Sequence, residues 1–178
     1  MKQQGVTLTE LLITLSIIAI LATNTAGSFT SFLEQAQADS DRSQLLLMIQ
    51  TARQSAVNHI TTAVLCPSED SLNCVNNWKL SSMIFHDKNN NKKRDSDEEI
   101  LNQFDAFNDS DISIKYPKTQ IRFNRDGMAN YYNGTLRYCL NEAIIGIVIS
   151  RIGRIRFARD LNDDNIPDIN KSTPVSCD

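Results

Sequence analysis

Glycine and proline are scarce in this chain, six and four in 178 residues, which excludes a collagenous or low-complexity protein. Only two histidines occur, His59 and His86, too few for a multi-histidine metal enzyme. There is no Gly-x-Ser-x-Gly, no phosphate-binding loop and no His-Glu-x-x-His. His86 stands beside Asp87 with no nucleophile next to them in sequence, and the expectation is a protein that is not an enzyme. No excess of one charge exists either. Eighteen basic residues face 21 acidic ones, for a net charge of −3, so any contact with nucleic acid must come from a local patch. Internal repeats and long linkers are missing, and the length suits one domain with a real core.

One long apolar run departs from this ordinary texture. After the short basic start Met1-Lys2-Gln3-Gln4-Gly5, the stretch from Val6 to Ala22 carries one charge, Glu10. Such a start normally reads as a secretory signal, but the expected small-residue cleavage site is present only loosely, at Ala22 to Gly27. The run falls slightly short of the ~20 apolar residues of a comfortable membrane span, and Thr7, Thr9, Thr14 and Ser16 interrupt it. A carboxylate inside an apolar helix is costly and points to function; placement among lipid head groups near the helix start is the other reading of Glu10.

The octapeptide Gly5-Val6-Thr7-Leu8-Thr9-Glu10-Leu11-Leu12 resembles the type III signal of type IV pilins and pseudopilins. That resemblance implies residues 1–5 as a leader, cut by a prepilin peptidase between Gly5 and Val6, and N-methylation of Val6 where the family most often has Phe. It implies residues 6–27 as an apolar helix, held in the bacterial inner membrane and later in the core of a filament. Glu10 would then pair with the N-terminal amine of a neighbouring subunit. A buried carboxylate without its partner costs on the order of 3–5 kcal/mol, so Glu10 would act as a register device.

Beyond Gly27 an amphipathic helical pattern continues through Phe29, Phe32, Leu33, Ala36, Leu45, Leu46, Ile49, Ala52, Ala56, Val57 and Ile60, with Asn24, Thr25 and Gly27 as places for a bend. After Cys66-Pro67 short strand-like runs take over, at 78–86, 99–104, 112–116, 120–123, 135–140, 143–150 and 154–157. The run at 143–150 is apolar on both faces and predicts a central strand. Asn124 to Gly127 is a hairpin-type turn signal, and Arg151-Ile152-Gly153 should join the last two strands. The fold class is α+β. The pilin resemblance implies a protruding apolar half-helix, then an amphipathic half laid on an antiparallel sheet, with residues 28–178 as the globular domain.

Cys66, Cys74, Cys139 and Cys177 are compatible with two disulfides in any of three connectivities. Cys66–Cys74 would close a short loop, and Cys139–Cys177 would pin the tail to a strand. A zinc site lacks the paired Cys-x-x-Cys knuckles it usually needs. The pilin resemblance places all four outside the cytoplasm, where disulfides persist.

Three polar segments invite a functional reading. Asp87 to Glu98 begins like an EF-hand loop and has Glu98 at its twelfth position, but Lys92, Lys93 and Arg94 oppose a divalent cation, which favours a solvated turn. Asp160, Asn162, Asp164 and Asp168 have the alternating spacing of an extracellular calcium loop, with Asn165 at the sixth position. Calcium and a plain acidic turn are the two readings there; no other cofactor is expected. Four arginines then stand within nine residues, Arg151, Arg154, Arg156 and Arg159. In an extended strand Arg154 and Arg156 would share one face, a guanidinium pair suited to phosphate oxygens. An edge strand protected by charge, or arginines paired with the acidic run that follows, is the plainer reading.

Gly153-Arg154-Ile155-Arg156 resembles the Gly-Arg-x-Arg motif near the C-terminus of FimT-type minor pilins, within the GspH/FimT family. There the motif contributes to DNA binding in natural transformation. The resemblance implies a minor type IV pilin, partnered by other pilins and by double-stranded DNA, with its globular domain periplasmic before assembly and at the cell surface afterwards. Arg154 and Arg156 carry over with the motif, while Arg151 and Arg159 are added on charge alone. The alternative is a structural minor pilin or a type II secretion pseudopilin that binds no DNA.

Overall fold

The computed structural model describes residues 7–177, with side chains for all of them except 20–28 and 31. Gly5 and Val6, the expected cleavage site, lie outside the described residues. The chain divides into two units between Gln37 and Ala38.

The first unit is the opening part of helix α1, which runs Leu8–Asn58 and passes without a break through Asn24, Thr25 and Gly27. Thr7 starts it: its hydroxyl accepts the Glu10 N–H at 3.3 Å, satisfying one of the free amides of the first turn. The polar interruptions of the apolar run are harmless to the helix. Thr14 and Ser16 donate their hydroxyls back to the carbonyls of Leu11 and Leu12. Leu8, Leu11, Leu12, Ile13, Leu15, Ile17 and Ile18 are each more than half exposed, a surface that requires an apolar partner. Among the described residues no helix is long and apolar enough to cross a membrane. The expected membrane segment, residues 6–27, falls only partly within them. Phe29, Phe32 and Leu33, expected on the buried stripe, are exposed, and burial begins at Ala38.

In the second unit α1 buries Ala38, Leu45, Met48, Ile49, Ala52 and Ala56, a three-to-four spacing that makes one face. Ala52 and Ala56 have no exposed surface and allow close approach. The helix ends two residues before Ile60, which the periodicity had included. Thr61 N–H reaches back to the Ala56 carbonyl at 3.1 Å while Ile60 takes the left-handed conformation, φ 50°. That reversal delivers a strand that no alternation in the sequence announces, β1 (Ala63–Pro67), buried along its whole length.

The expected α+β class holds, with the antiparallel strands in two four-stranded sheets. One has the order β3-β2-β1-β5, with β2 (Ser82–His86), β3 (Ile100–Phe104) and β5 (Ile121–Phe123). The other has the order β4-β6-β7-β8, with β4 (Ile112–Lys115), β6 (Gly134–Leu140), β7 (Ala143–Ile149) and β8 (Ile155–Phe157). A ribbon of β9 (Asp168–Asn170) and β10 (Thr173–Pro174) follows. All pairings are antiparallel. β7 is interior, as its apolar composition predicts. The Asn124–Gly127 turn is real, with Gly127 N–H donating to Asn124 O at 2.8 Å, but it joins strands of different sheets and closes no hairpin.

One core gathers Leu65, Ile84 and Phe123 from the first sheet, Leu136, Tyr138 and Ile147 from the second, and the buried face of α1. A smaller cluster of Val64, Cys66, Met83 and Phe85 covers the other face of the first sheet, which explains why β1 is buried on both sides. Disulfides join Cys66 to Cys74 and Cys139 to Cys177.

Candidate functional site

The arginine-rich segment is the β7–β8 hairpin. Its register pairs Ile149 with Ile155, Val148 with Arg156 and Ile147 with Phe157. Gly153 N–H donates to Ser150 O at 2.9 Å, Ser150 N–H returns a bond to Arg154 O at 2.9 Å, and Arg154 N–H meets the Ser150 hydroxyl at 3.0 Å. The turn is held from outside as well. The Arg151 carbonyl accepts N–H bonds from Ala129 and Asn130, both at 3.0 Å. Arg53, on the helix, donates Nε–H to the Gly127 carbonyl at 3.1 Å directly beneath.

The four arginines part company at their side chains. Arg151, Arg154 and Arg159 are exposed, and among the described residues none forms a side-chain hydrogen bond or an ion pair. The acidic run after β8 therefore does not neutralise them through direct pairs. Arg156 is different. It is half-buried, with its guanidinium donating to Phe157 O at 3.2 Å and to Ile169 O on β9. The expected pair of free guanidiniums is thus corrected: Arg154 is exposed, whereas the C-terminal ribbon lies over Arg156 and uses it as a clamp. Ile155 and Phe157 pack toward the core as predicted. Phe157 also carries the Arg42 guanidinium 3.8 Å above its ring, a cation–π contact that no sequence pattern announced.

In the acidic loop, Asp160 accepts N–H bonds from Asn162, Asp163 and Asn165 at 3.1, 2.8 and 2.8 Å. Desolvation works upward on this carboxyl, but those donations outweigh it and its pKa lies below the usual value. Asn162 and Asp164 bond each other and the loop, and buried Asp168 accepts from Leu161 N–H at 2.9 Å. The donors are hard oxygens of the class calcium takes. They face the loop's own amides, and among the described residues no three His, Cys, Asp or Glu side chains gather as a metal site.

The 87–98 loop is likewise closed from within. Asp87 is fully buried and pairs with Arg122 at 2.8 Å while accepting N–H bonds from Asn91 and Lys92. Buried Glu98 accepts from Lys88 and Asp95. A cation of the chain thus stands at the first carboxylate. The fold also brings Ser55 Oγ within 2.8 Å of His86 Nε2, a pair that lies far apart in sequence. Asp87, the neighbour of His86 in sequence, is committed to Arg122.

The comparisons bear on the same elements. Residues 1–23 match the prokaryotic N-terminal methylation motif, and residues 41–153 match the family of the type II transport protein GspH. The second match stops at Gly153, so Arg154 and Arg156 lie just beyond it. The fold is similar to the type IV minor pilin FimU of Pseudomonas aeruginosa strain PAO1 in two crystal forms. One has TM-score 0.57 and 20% identity over 72% of this chain and 92% of that one; the other has 0.51 and 20% over 70% and 92%. No curated protein matches the chain. With the family match covering most of both sheets and a prepilin-type N-terminus ahead of it, this chain belongs to the GspH family of pilin-like subunits.

Proposed function

We propose that this protein is a minor type IV pilin that takes part in filament assembly and presents the β7–β8 turn to double-stranded DNA during uptake. A prepilin peptidase cuts between Gly5 and Val6 and Val6 is methylated. The subunit waits in the inner membrane and then joins other pilins through the apolar part of α1. Glu10 is exposed in the first turn of α1 and makes no side-chain bond among the described residues, which suits a carboxylate kept for a neighbour's N-terminal amine.

The observation that carries the DNA reading is the exposure of Arg151, Arg154 and Arg159 without an acidic partner among the described residues. Contacts of this kind go to phosphates, so sequence preference is weak. Three contacts give a salt slope of about −2 to −3 in a plot of log affinity against log salt. The test is duplex binding by residues 28–178, disulfides intact, across a salt series, against the Arg151→Gln, Arg154→Gln variant. Loss of salt-dependent binding in a folded variant supports the reading. Equal binding by both proteins removes it.

A structural subunit or type II secretion pseudopilin without DNA binding is the second reading. It is favoured by Arg156, half of the Gly-Arg-x-Arg motif, which serves as a clamp for the C-terminal ribbon.

A further inference from the structure

The outward face of the β4-β6-β7-β8 sheet carries another cationic feature, on different strands from the arginine turn. Lys115 on β4 and Arg137 on β6 are direct cross-strand partners. Leu136 and Tyr138 on either side of Arg137 are buried in the core, so alternation turns Arg137 to the other face. Opposed residues on antiparallel strands hold their Cβ atoms about 4.5–5.5 Å apart, and like charges so placed repel. Among the described residues neither cation has a carboxylate partner. Arg137 makes no side-chain hydrogen bond there, and Lys115 makes one, from Nζ to the Cys177 carbonyl at 2.9 Å. Two unneutralised cations are thus held together by the sheet itself.

They line a cleft of about 230 Å³ with Tyr116, Pro117 and Thr135. That is below the ~300–1,000 Å³ of drug-sized sites and suits one small polar ion. Lys115 has two N–H donors left, and Arg137 offers its whole planar fork, the donor set that a tetrahedral oxyanion satisfies. The position of Lys115 is not left to chance. The Cys139–Cys177 disulfide ties the tail to β6 two residues beyond Arg137, and the tail's Cys177 carbonyl holds the ammonium.

We infer that Lys115 and Arg137 form a binding site for a phosphate-type oxyanion. The ion arrives either as free inorganic phosphate or as a phosphodiester of bound DNA. Only the second source rests on the proposed function; in that case the pair adds a contact to the one made by the arginine turn.

The test uses the full-length protein in neutral detergent, titrated with inorganic phosphate at constant ionic strength, with the Arg137 Nε–H resonance followed by NMR. The expected result is a saturable shift, at least tenfold weaker in Lys115→Gln and absent, as judged by thermal stabilisation, in Arg137→Gln. The Arg151→Gln, Arg154→Gln protein should titrate normally. A non-saturating response, or equal thermal stabilisation of all variants by phosphate, overturns the site. Duplex DNA that displaces phosphate at Arg137 identifies the phosphodiester as the ligand, and duplex that binds without disturbing Arg137 identifies the free ion. If the Arg151 and Arg154 changes leave DNA binding intact while phosphate still titrates Arg137, the turn reading fails and this site stands.

Discussion

Gly153 and Gly127 are stacked turn against turn. A Cβ on Gly153 would stand 1.7 Å from the Gly127 carbonyl oxygen, and Gly153 has φ +80°. The glycine of the Gly-Arg-x-Arg segment is therefore a packing residue. It lets the arginine hairpin rest on the neighbouring turn, with Arg53 bonding the same carbonyl from the helix. Gly153→Ala combines a left-handed backbone with overpacking against main chain. The expected loss is about 2–4 kcal/mol in urea unfolding.

Arg122 and Asp87 form an ion pair almost wholly removed from water. Replacing Arg122 by Met strands a buried carboxylate, at an expected cost of about 3–5 kcal/mol. Adding Asp87→Asn should recover a large part of it. A double-mutant cycle by chemical denaturation measures the coupling, and additive effects would exclude it.

Tyr138 and Asp41 join the second sheet to the helix through a buried hydrogen bond of 2.6 Å. Burial first, and the Asp41 carboxylate second, push the Tyr138 hydroxyl well above the ordinary phenol range, so it stays a donor at all ordinary pH. Tyr138→Phe leaves the carboxylate oxygen without this donor. A loss of about 1–3 kcal/mol is expected from thermal unfolding, with secondary structure unchanged by circular dichroism.

The two disulfides close loops of different length, with sequence separations of 8 and 38. Chain entropy gives about 2.5 kcal/mol for Cys66–Cys74 and about 3.9 kcal/mol for Cys139–Cys177. The Cys139→Ser, Cys177→Ser protein should therefore melt lower than the Cys66→Ser, Cys74→Ser protein. It should also show faster amide exchange in β9, where the tail clamps Arg156.

His86 is held below its ordinary pKa of 6.5, by burial first and by the neighbouring His59 second. The folded state thus prefers the neutral imidazole. Stability from this site is complete above pH 6.5 and is lost as pH falls through the lower folded value. The melting temperature should drop between pH 7 and pH 5, and His86→Gln should flatten that dependence. An unchanged slope in the variant would move the acid sensitivity to the buried carboxylates.

Much of this protein is determined by local sequence. The Gly5–Glu10 spacing and the apolar run declare a prepilin N-terminus, and strand alternation with turn residues declares the β7–β8 hairpin, because those signals act over a few residues. Contacts distant in sequence were decided by tertiary structure. β1 follows a helix stop made by a left-handed Ile60, a conformation propensity does not favour, and its burial on both faces depends on two separate clusters. The division into two sheets was decided by which strands pair, β5 with β1 and β6 with β4 and β7. The arginine motif shows the same division. Alternation predicts Arg154 and Arg156 as a pair, but only the return of the C-terminal ribbon made Arg156 a structural donor while Arg154 stayed in solvent, since a guanidinium bonds whichever carbonyls the fold brings to it.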